Sequence, residues 1–416
     1  MNLSRLLFMI SRRWNNLKGL KQTLQVVVIL LSLILALSVF MIMRGGKYNL
    51  GHLKGCNFPA IFNFGDSNSD TGGISAAFHR LHHPNGYSFF NKPSGRFCDG
   101  RNIIDFIAEK LELPYLSAYL DSIGTNFRHG ANFATGGSTI EKMNTRIFEG
   151  GFSPFSLDLQ LLQFEQFKER TVELYNQGRS SYVTNSLPRP EDFSKALYTL
   201  DIGQNDLHAG LKSMTEKQIL GSIPYIIDQF AQAVEKLYQL EARTFWIHNT
   251  GPIGCLPYSV INYPPKPGNA DQIGCVKSQN DIAQEFNRQL KDKVAELRRE
   301  LPDAAITYTD IYTAKYSLIS EAKQNGFADA FGYCCGHYGD YQVRCGEKAM
   351  VNWTEISGDA CSNPEVYISW DGIHYSEAAN QIVAKKIVDG SLSDPPLPID
   401  EACIQHHRLH STNAMR

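Results

Sequence analysis

A chain of 416 residues, 43% of them hydrophobic, has enough material for a substantial buried core, and its length admits one large domain or two ordinary ones. Its 40 basic and 42 acidic side chains leave a formal net charge of -2, so no overall positive field gathers phosphates and no nucleic-acid partner is expected.

The chain opens with a basic leader over residues 1–25 that includes Arg5, Arg12, Arg13, Lys18 and Lys21. Residues 26–43 follow as an uncharged run dominated by Val, Ile, Leu and Met. At a helical rise of about 1.5 Å per residue this run reaches roughly 27 Å, close to the hydrocarbon thickness of a bilayer. With most of the basic residues before it, the run reads as a signal-anchor that keeps the N-terminus cytoplasmic and the body lumenal, a type II arrangement in the Golgi membrane. The competing reading is a cleaved signal peptide, with small residues at Ala36 and Ser38, which would leave the protein secreted. Both readings place the body in the secretory pathway.

All 9 cysteines lie after the apolar run, where an oxidising lumen permits disulfides. The odd number leaves at least one thiol free or bridged to another chain, and spacing alone leaves the connectivity open. Cys334, Cys335, His337, Cys345 and Cys361 cluster in sequence but lack paired C-x-x-C knuckles, so no metal is expected there. Asn352-Trp353-Thr354 is a glycosylation acceptor.

Residues 44–57 read as a stem. Compact apolar runs at 59–64, 196–202, 244–248 and 305–309 predict buried strands, and apolar returns every three or four residues at 103–111, 223–240 and 282–301 predict helices between them. A last helix is expected from Ser376-Glu377 to Val388. Strand alternating with helix predicts an α/β fold with a mostly parallel central sheet, helices on both faces, and ligands at the carboxyl ends of the strands. No linker divides residues 58–390, which read as one domain, and 391–416 read as a loosely held C-terminal tail containing His406, His407 and His410.

A serine hydroxyl becomes an effective nucleophile when a base takes its proton and when donors face the oxyanion that forms. Ser67 lies in Phe64-Gly-Asp-Ser-Asn-Ser-Asp-Thr71, immediately past a predicted strand, where Gly65 allows a sharp turn. Trp370-Asp371-Gly-Ile-His374 sets an acid and an imidazole three residues apart ahead of the last helix, so that one loop holds an orienter and a base. Gly130-Ala-Asn-Phe-Ala-Thr-Gly-Gly-Ser138 is a small-residue loop able to offer a backbone N–H, and Gly203-Gln-Asn-Asp206 ends a strand with an amide free to donate. Taken singly, each of these runs is an ordinary turn or cap.

Together, and in this order, the four runs resemble those of plant-type GDSL esterases/lipases within the SGNH hydrolase superfamily, over roughly residues 59–388. The segments Pro93-Ser-Gly-Arg-Phe-Cys-Asp-Gly-Arg101, Gly251-Pro-Ile-Gly-Cys-Leu-Pro257 and Cys334-Cys-Gly336 are also similar to the plant group. The resemblance implies a three-layer α/β/α sandwich, no metal or organic cofactor, and Ser67, Asp371 and His374 as the catalytic residues. The oxyanion hole it implies comprises the Ser67 N–H, Gly137 and Asn205, with Gly136 one register away from Gly137. The chain departs from the plant group in its long basic leader and apolar run, and in Cys334-Cys-Gly-His-Tyr-Gly-Asp340, which is expected to alter the cleft wall near Asp371. The expected activity is hydrolysis of carboxylic esters, with acylated cell-wall polysaccharide or a small ester as substrate. Competing expectations are a lipase acting on acyl lipids, an acyltransferase using the same acyl-enzyme, and a non-catalytic carbohydrate-binding protein.

Overall fold

A computed structural model describes residues 55–143, 151–178 and 181–403. The signal-anchor reading falls on residues 26–43 and the histidine-bearing tail on 404–416, both outside the described residues. Among the described residues no helix is long and apolar enough to cross a membrane.

Five parallel strands form the body of the central sheet: β1 (Ile61–Gly65), β2 (Gly130–Asn132), β3 (Leu197–Asp201), β4 (Thr244–His248) and β5 (Ala305–Thr309). Outside the sheet β6 (Asp329–Tyr333) pairs with β9 (Tyr367–Ser369) and β7 (Lys348–Val351) with β8 (Thr354–Ser357), and a sixth and antiparallel edge strand, β10 (Ser393–Asp394), completes the spatial order β10-β5-β4-β3-β1-β2 of the central sheet. Ile61 pairs with Gly130 on one side and Leu197 on the other, so β1 lies inside the sheet, and all five of its residues are buried. Burial on both faces explains why these strands read as short continuous apolar runs.

The crossovers are α1 (Ile103–Lys110), α2 (Leu157–Asn176), α3 (Gln204–Ser213), α4 (Glu216–Gln239) and α5 (Lys277–Glu300), followed by α6 (Ile311–Ser320) and α7 (Glu377–Val388). Right-handed crossovers carry α1 to one face, because β1 to β2 runs one way across the sheet, and carry α2, α4 and α5 to the other, because β2 to β5 runs the opposite way. The packing agrees: α7 lies against α1 and α6, while α4 lies against α2 and α5. In α4, Ile219, Ile223, Ile226, Phe230, Val234 and Leu237 form one buried stripe, and Thr215 with Gln218 closes a capping box at its start. That cap starts the helix seven residues before the predicted 223, with Pro224 accommodated inside it.

Alternation along β1 divides the core by chemistry. Phe62 stacks on Phe193 and Phe64 on Phe133, with ring centroids 5.2 and 5.3 Å apart, and both meet Phe164 of α2 edge-on. Asn63 between them donates to Asn132 Oδ1 of β2 at 2.7 Å and accepts from Thr199 Oγ1 of β3 at 2.7 Å.

Two expectations are corrected. The run from Gly130 is not wholly loop, since Gly130–Asn132 is the edge strand β2. The fold also does not stop at 390: β10 pairs with β5, Ile399 and Ala402 are buried, and Cys403 is bridged to Cys56. The last two residues of the expected stem and thirteen of the expected tail therefore belong to the compact unit that begins at Cys56. The remaining disulfides are Cys255–Cys275, Cys334–Cys361 and Cys335–Cys345, and Cys98 is a buried free thiol. Every cysteine of the 334–361 cluster is thus bridged.

Candidate active site

Ser67 sits just past the carboxyl end of β1, between β2 and β3, where the direction of the crossovers reverses. Sheets of this kind open a crevice at that point. Gly65 is needed because a Cβ there would come within 2.5 Å of the Asp201 carbonyl and 2.6 Å of Ser69 Oγ. Gln160 of α2 holds the Gly65 peptide from both ends, accepting from its N–H at 3.0 Å and donating to its carbonyl at 2.8 Å.

The loop that follows β1 is anchored by Asp70. Its carboxylate accepts from the backbone N–H groups of Gly72, Gly73 and Ile74 and, at 2.7 Å, from that of Gly136 on the facing loop. Burial pushes this carboxyl up, and the four N–H donors oppose the rise. With the Gly136 N–H committed to Asp70, it is Gly137, at φ +78°, that lines the same cavity as Ser67.

From the other end of the chain, the turn before α7 brings in the acid and the imidazole. Asp371 Oδ1 accepts from the N–H groups of Ile373 and His374, at 3.0 and 2.7 Å, which closes the turn. Asp371 Oδ2 lies 2.6 Å from His374 Nδ1, and His374 Nε2 lies 2.7 Å from Ser67 Oγ. Burial alone would raise the Asp371 carboxyl, yet the charge and hydrogen bonds of His374 hold it below the ordinary range. The Phe97 ring covers the imidazole, with centroids 4.9 Å apart. Phe97 belongs to the 93–101 segment, in which Arg96 is clamped by Asp105 of α1 and Arg101 by Glu377 at the start of α7.

Asn205 falls in the first turn of α3, after Gly203 at φ +124°. Its amide is not free, as expected from the sequence, but donates to the Ser138 carbonyl at 2.9 Å and to Asp66 Oδ2 at 3.3 Å.

Sequence reasoning passed over the charges beneath Ser67. The Asp66 carboxyl is pushed up to about 7, first by burial and then by Asp201, against the pull of Asn68 and His374. Asp201 is itself held low despite its burial by His248, 3.5 Å away, and by Lys315. Lys315 is buried in α6, and burial lowers it against the two aspartates. Its register was a usable signal: Ile311, Ala314, Leu318 and Ile319 are the other buried positions of that helix, so a lysine at 315 falls on the core face.

Ser67, Phe97, Gly137, Asn205, Asp371 and His374 all border one cavity of about 310 Å³. Its wall includes Tyr258 and Tyr338, and Tyr338 presses on the Asp371 turn so closely that a Cβ on Gly372 would come within 2.6 Å of the ring. The 334–340 segment therefore does shape the cleft wall, pinned there by the bridges at Cys334 and Cys335.

The family model for GDSL-like lipases/acylhydrolases matches residues 61–387. A GDSL esterase/lipase of Arabidopsis thaliana is 57% identical over 350 residues, covering 84% of this chain and 90% of its own. A GDSL esterase/lipase of Zea mays is 51% identical, covering 84% and 89%. An Arabidopsis thaliana protein named alpha-L-fucosidase 3 is also 51% identical, covering 82% and 92%.

Proposed function

The chain belongs to the GDSL esterase/lipase family of carboxylic ester hydrolases, and on that footing we propose that it works through a Ser67 acyl-enzyme and removes acetyl groups from cell-wall polysaccharide. The observation that carries the mechanism is the unbroken line from Asp371 Oδ2 through both ring nitrogens of His374 to Ser67 Oγ.

His374 Nε2 takes the Ser67 proton as Oγ adds to the ester carbonyl, and Asp371 holds the tautomer with its proton on Nδ1 and stabilises the imidazolium. The oxyanion is received by the N–H groups of Ser67 and Gly137 and by the Asn205 amide, which exchanges Asp66 for the stronger acceptor. Collapse expels the sugar alcohol, which leaves with the proton from His374. Water, activated by the same imidazole, then adds to the acyl carbon and releases acetate and free Ser67.

A polysaccharide ester is supported by the tyrosine-bearing wall of the cavity and by its modest volume. Export to a compartment holding such polymers is supported by the four disulfides. Asn352 suits an N-glycan, since it stands exposed in the two-residue turn between β7 (Lys348–Val351) and β8 (Thr354–Ser357).

Labelling with a fluorophosphonate and mapping the modified peptide tests the nucleophile. We expect the label on Ser67, none on a Ser67→Ala variant of unchanged melting temperature, and acetate release from acetylated polysaccharide by the unsubstituted protein only. A folded protein labelled elsewhere, or not at all, rules the mechanism out. Adding sugar acceptors to the assay separates hydrolysis from acyl transfer by its products.

A further inference from the structure

Burial does not account for where the Phe97 ring sits. It is only half-buried, and among the described residues it joins neither apolar cluster of the core. Its neighbours are the two halves of the reacting site. The Phe97 and His374 rings are 4.9 Å apart between centroids and 30° from parallel, so they meet face toward face. Phe97 also fills the space over Gly136, where a Cβ would come within 2.5 Å of its Cε2 and 2.8 Å of its Cζ.

The backbone is anchored on both sides of this ring. Before it, the buried Arg96 guanidinium meets the Asp105 carboxylate through two bonds, of 2.7 and 2.6 Å, and donates to the Ser94 carbonyl at 2.9 Å. After it, Asp99 Oδ1 accepts from the Glu377 N–H at 2.7 Å, and the Arg101 guanidinium donates to Glu377 Oε1 at 2.9 and 2.6 Å. The Arg101 carbonyl accepts from the Asn380 amide at 3.1 Å. Glu377 is the first residue of α7, three places after His374. The segment that carries Phe97 is therefore tied to the same helix start as the imidazole, by pairs that fix orientation as well as distance.

In the resting protein two hydrogen bonds in the plane of the imidazole hold His374, one to Asp371 and one to Ser67. The second is given up as Oγ adds to the ester carbonyl, so through the acyl-enzyme stage the bond at Nδ1 holds the ring alone. Bonds in the ring plane tolerate tilt, because hydrogen-bond angles are broad. A flat apolar surface against the face restrains the ring in that remaining direction and limits the approach of water to it. An aromatic face also favours the cation that the imidazole becomes at each proton transfer.

We propose that Phe97 is a positioning residue for ester cleavage, a wedge between Gly136 and His374 that keeps the imidazole in line with Ser67 Oγ and Asp371 through both halves of the reaction. The two successive glycines then have separate causes: room for the ring at Gly136, and φ +78° at Gly137. The proposal rests on the reading of His374 as the base.

The full chain is compared with Phe97→Leu, which keeps apolar bulk without a flat face, and with Phe97→Tyr, which restores the face. On p-nitrophenyl acetate we expect kcat of Phe97→Leu to lie about ten- to a hundredfold below the parent with KM within about twofold, and Phe97→Tyr to stay within about threefold in both. The far-downfield proton resonance of His374 Nδ1–H, identified by its absence from Asp371→Asn, reads the same restraint without turnover. It should be present in the parent and in Phe97→Tyr, and broadened beyond detection by exchange in Phe97→Leu. Gly136→Ala keeps Phe97 but takes its room, so it should lose the resonance as well, and it carries the test if Phe97→Leu does not fold. The proposal is overturned by a folded Phe97→Leu with kcat within twofold of the parent, by a kcat loss that leaves the resonance unchanged, or by Phe97→Tyr performing no better than Phe97→Leu. A parent without the resonance, or a folded Gly136→Ala that retains it, overturns it equally. Absence of the fluorophosphonate from Ser67 of the unsubstituted protein would strike instead at the nucleophile and base on which the proposal stands.

Discussion

Asp371 has its two oxygens on different tasks: Oδ1 closes the turn through two N–H groups and Oδ2 orients the imidazole. Asp371→Asn keeps the shape but offers His374 the wrong partner for its Nδ1 proton, and kcat should fall by about 10⁴ on a small acetyl ester while KM changes little. The same carboxyl is lower in the folded chain than in the unfolded one. Its contribution to stability is therefore complete above the unfolded value near 3.9 and disappears as pH falls through the folded value. Melting curves should accordingly separate the parent from Asp371→Asn at pH 6 and bring them together near pH 2. Asn205→Ala removes the amide that the proposed mechanism turns on the oxyanion, and should lower kcat by about 10²–10³, while the lost bond to the Ser138 carbonyl should lower the melting temperature by only a few degrees. A loss below fivefold would remove Asn205 from the oxyanion hole.

Among the elements, the helix that matters most to Ser67 without touching it is α2, through Gln160. A buried peptide at the end of a parallel strand has to find partners beyond the sheet, and Gln160 supplies both an acceptor and a donor. Gln160→Leu keeps much of the volume but leaves the Gly65 N–H without an acceptor, at a cost of about 1–3 kcal/mol. We expect a melting temperature several degrees lower, together with a kcat loss of about tenfold as the Ser67 turn loosens. Unchanged kinetics in a destabilised variant would show that the clamp serves stability only. The Asp70 carboxylate plays a similar part between loops, joining the N-terminus of the 73–77 turn of helix to Gly136 and so holding the neighbouring Gly137 on the cavity that Ser67 borders.

At the scale of the whole molecule, the ends of the compact unit are tied to each other. Cys56 and Cys403 close a loop 347 residues apart in sequence. In the chain-entropy account so long a loop contributes up to about 6 kcal/mol, by restricting the unfolded chain. Cys403→Ser should melt about 5 °C lower or more in non-reducing buffer, and dithiothreitol should narrow the gap between variant and parent. A chain ended at residue 390 loses this bridge, the β10 edge strand and the buried Ile399 and Ala402 together, and should be recovered only as aggregate. A soluble product with normal activity would restore the boundary that composition suggests.

Residue spacing and local pattern were enough to place four of the five parallel strands and the helices α1, α4, α5 and α7, because strands buried on both faces leave continuous apolar runs and amphipathic helices write their period into the chain, whereas α2 and α3 were not read from the sequence. They were also enough to single out Ser67, Asn205, Asp371 and His374, since a strand end followed by a small residue, and an acid three places before an imidazole, are local arrangements. What needed the folded structure were the relations between distant segments. The three residues of β2 are too few to show a period, and β10 is a strand only because β5 lies beside it. That the N–H of Gly136 is held by an aspartate 66 residues away, while Gly137 borders the cavity, is also invisible in the sequence. The pairing of the cysteines and the raised Asp66 carboxyl, set by burial and by Asp201, depend likewise on distances in space, and those exist only once the sheet has brought its strand ends together.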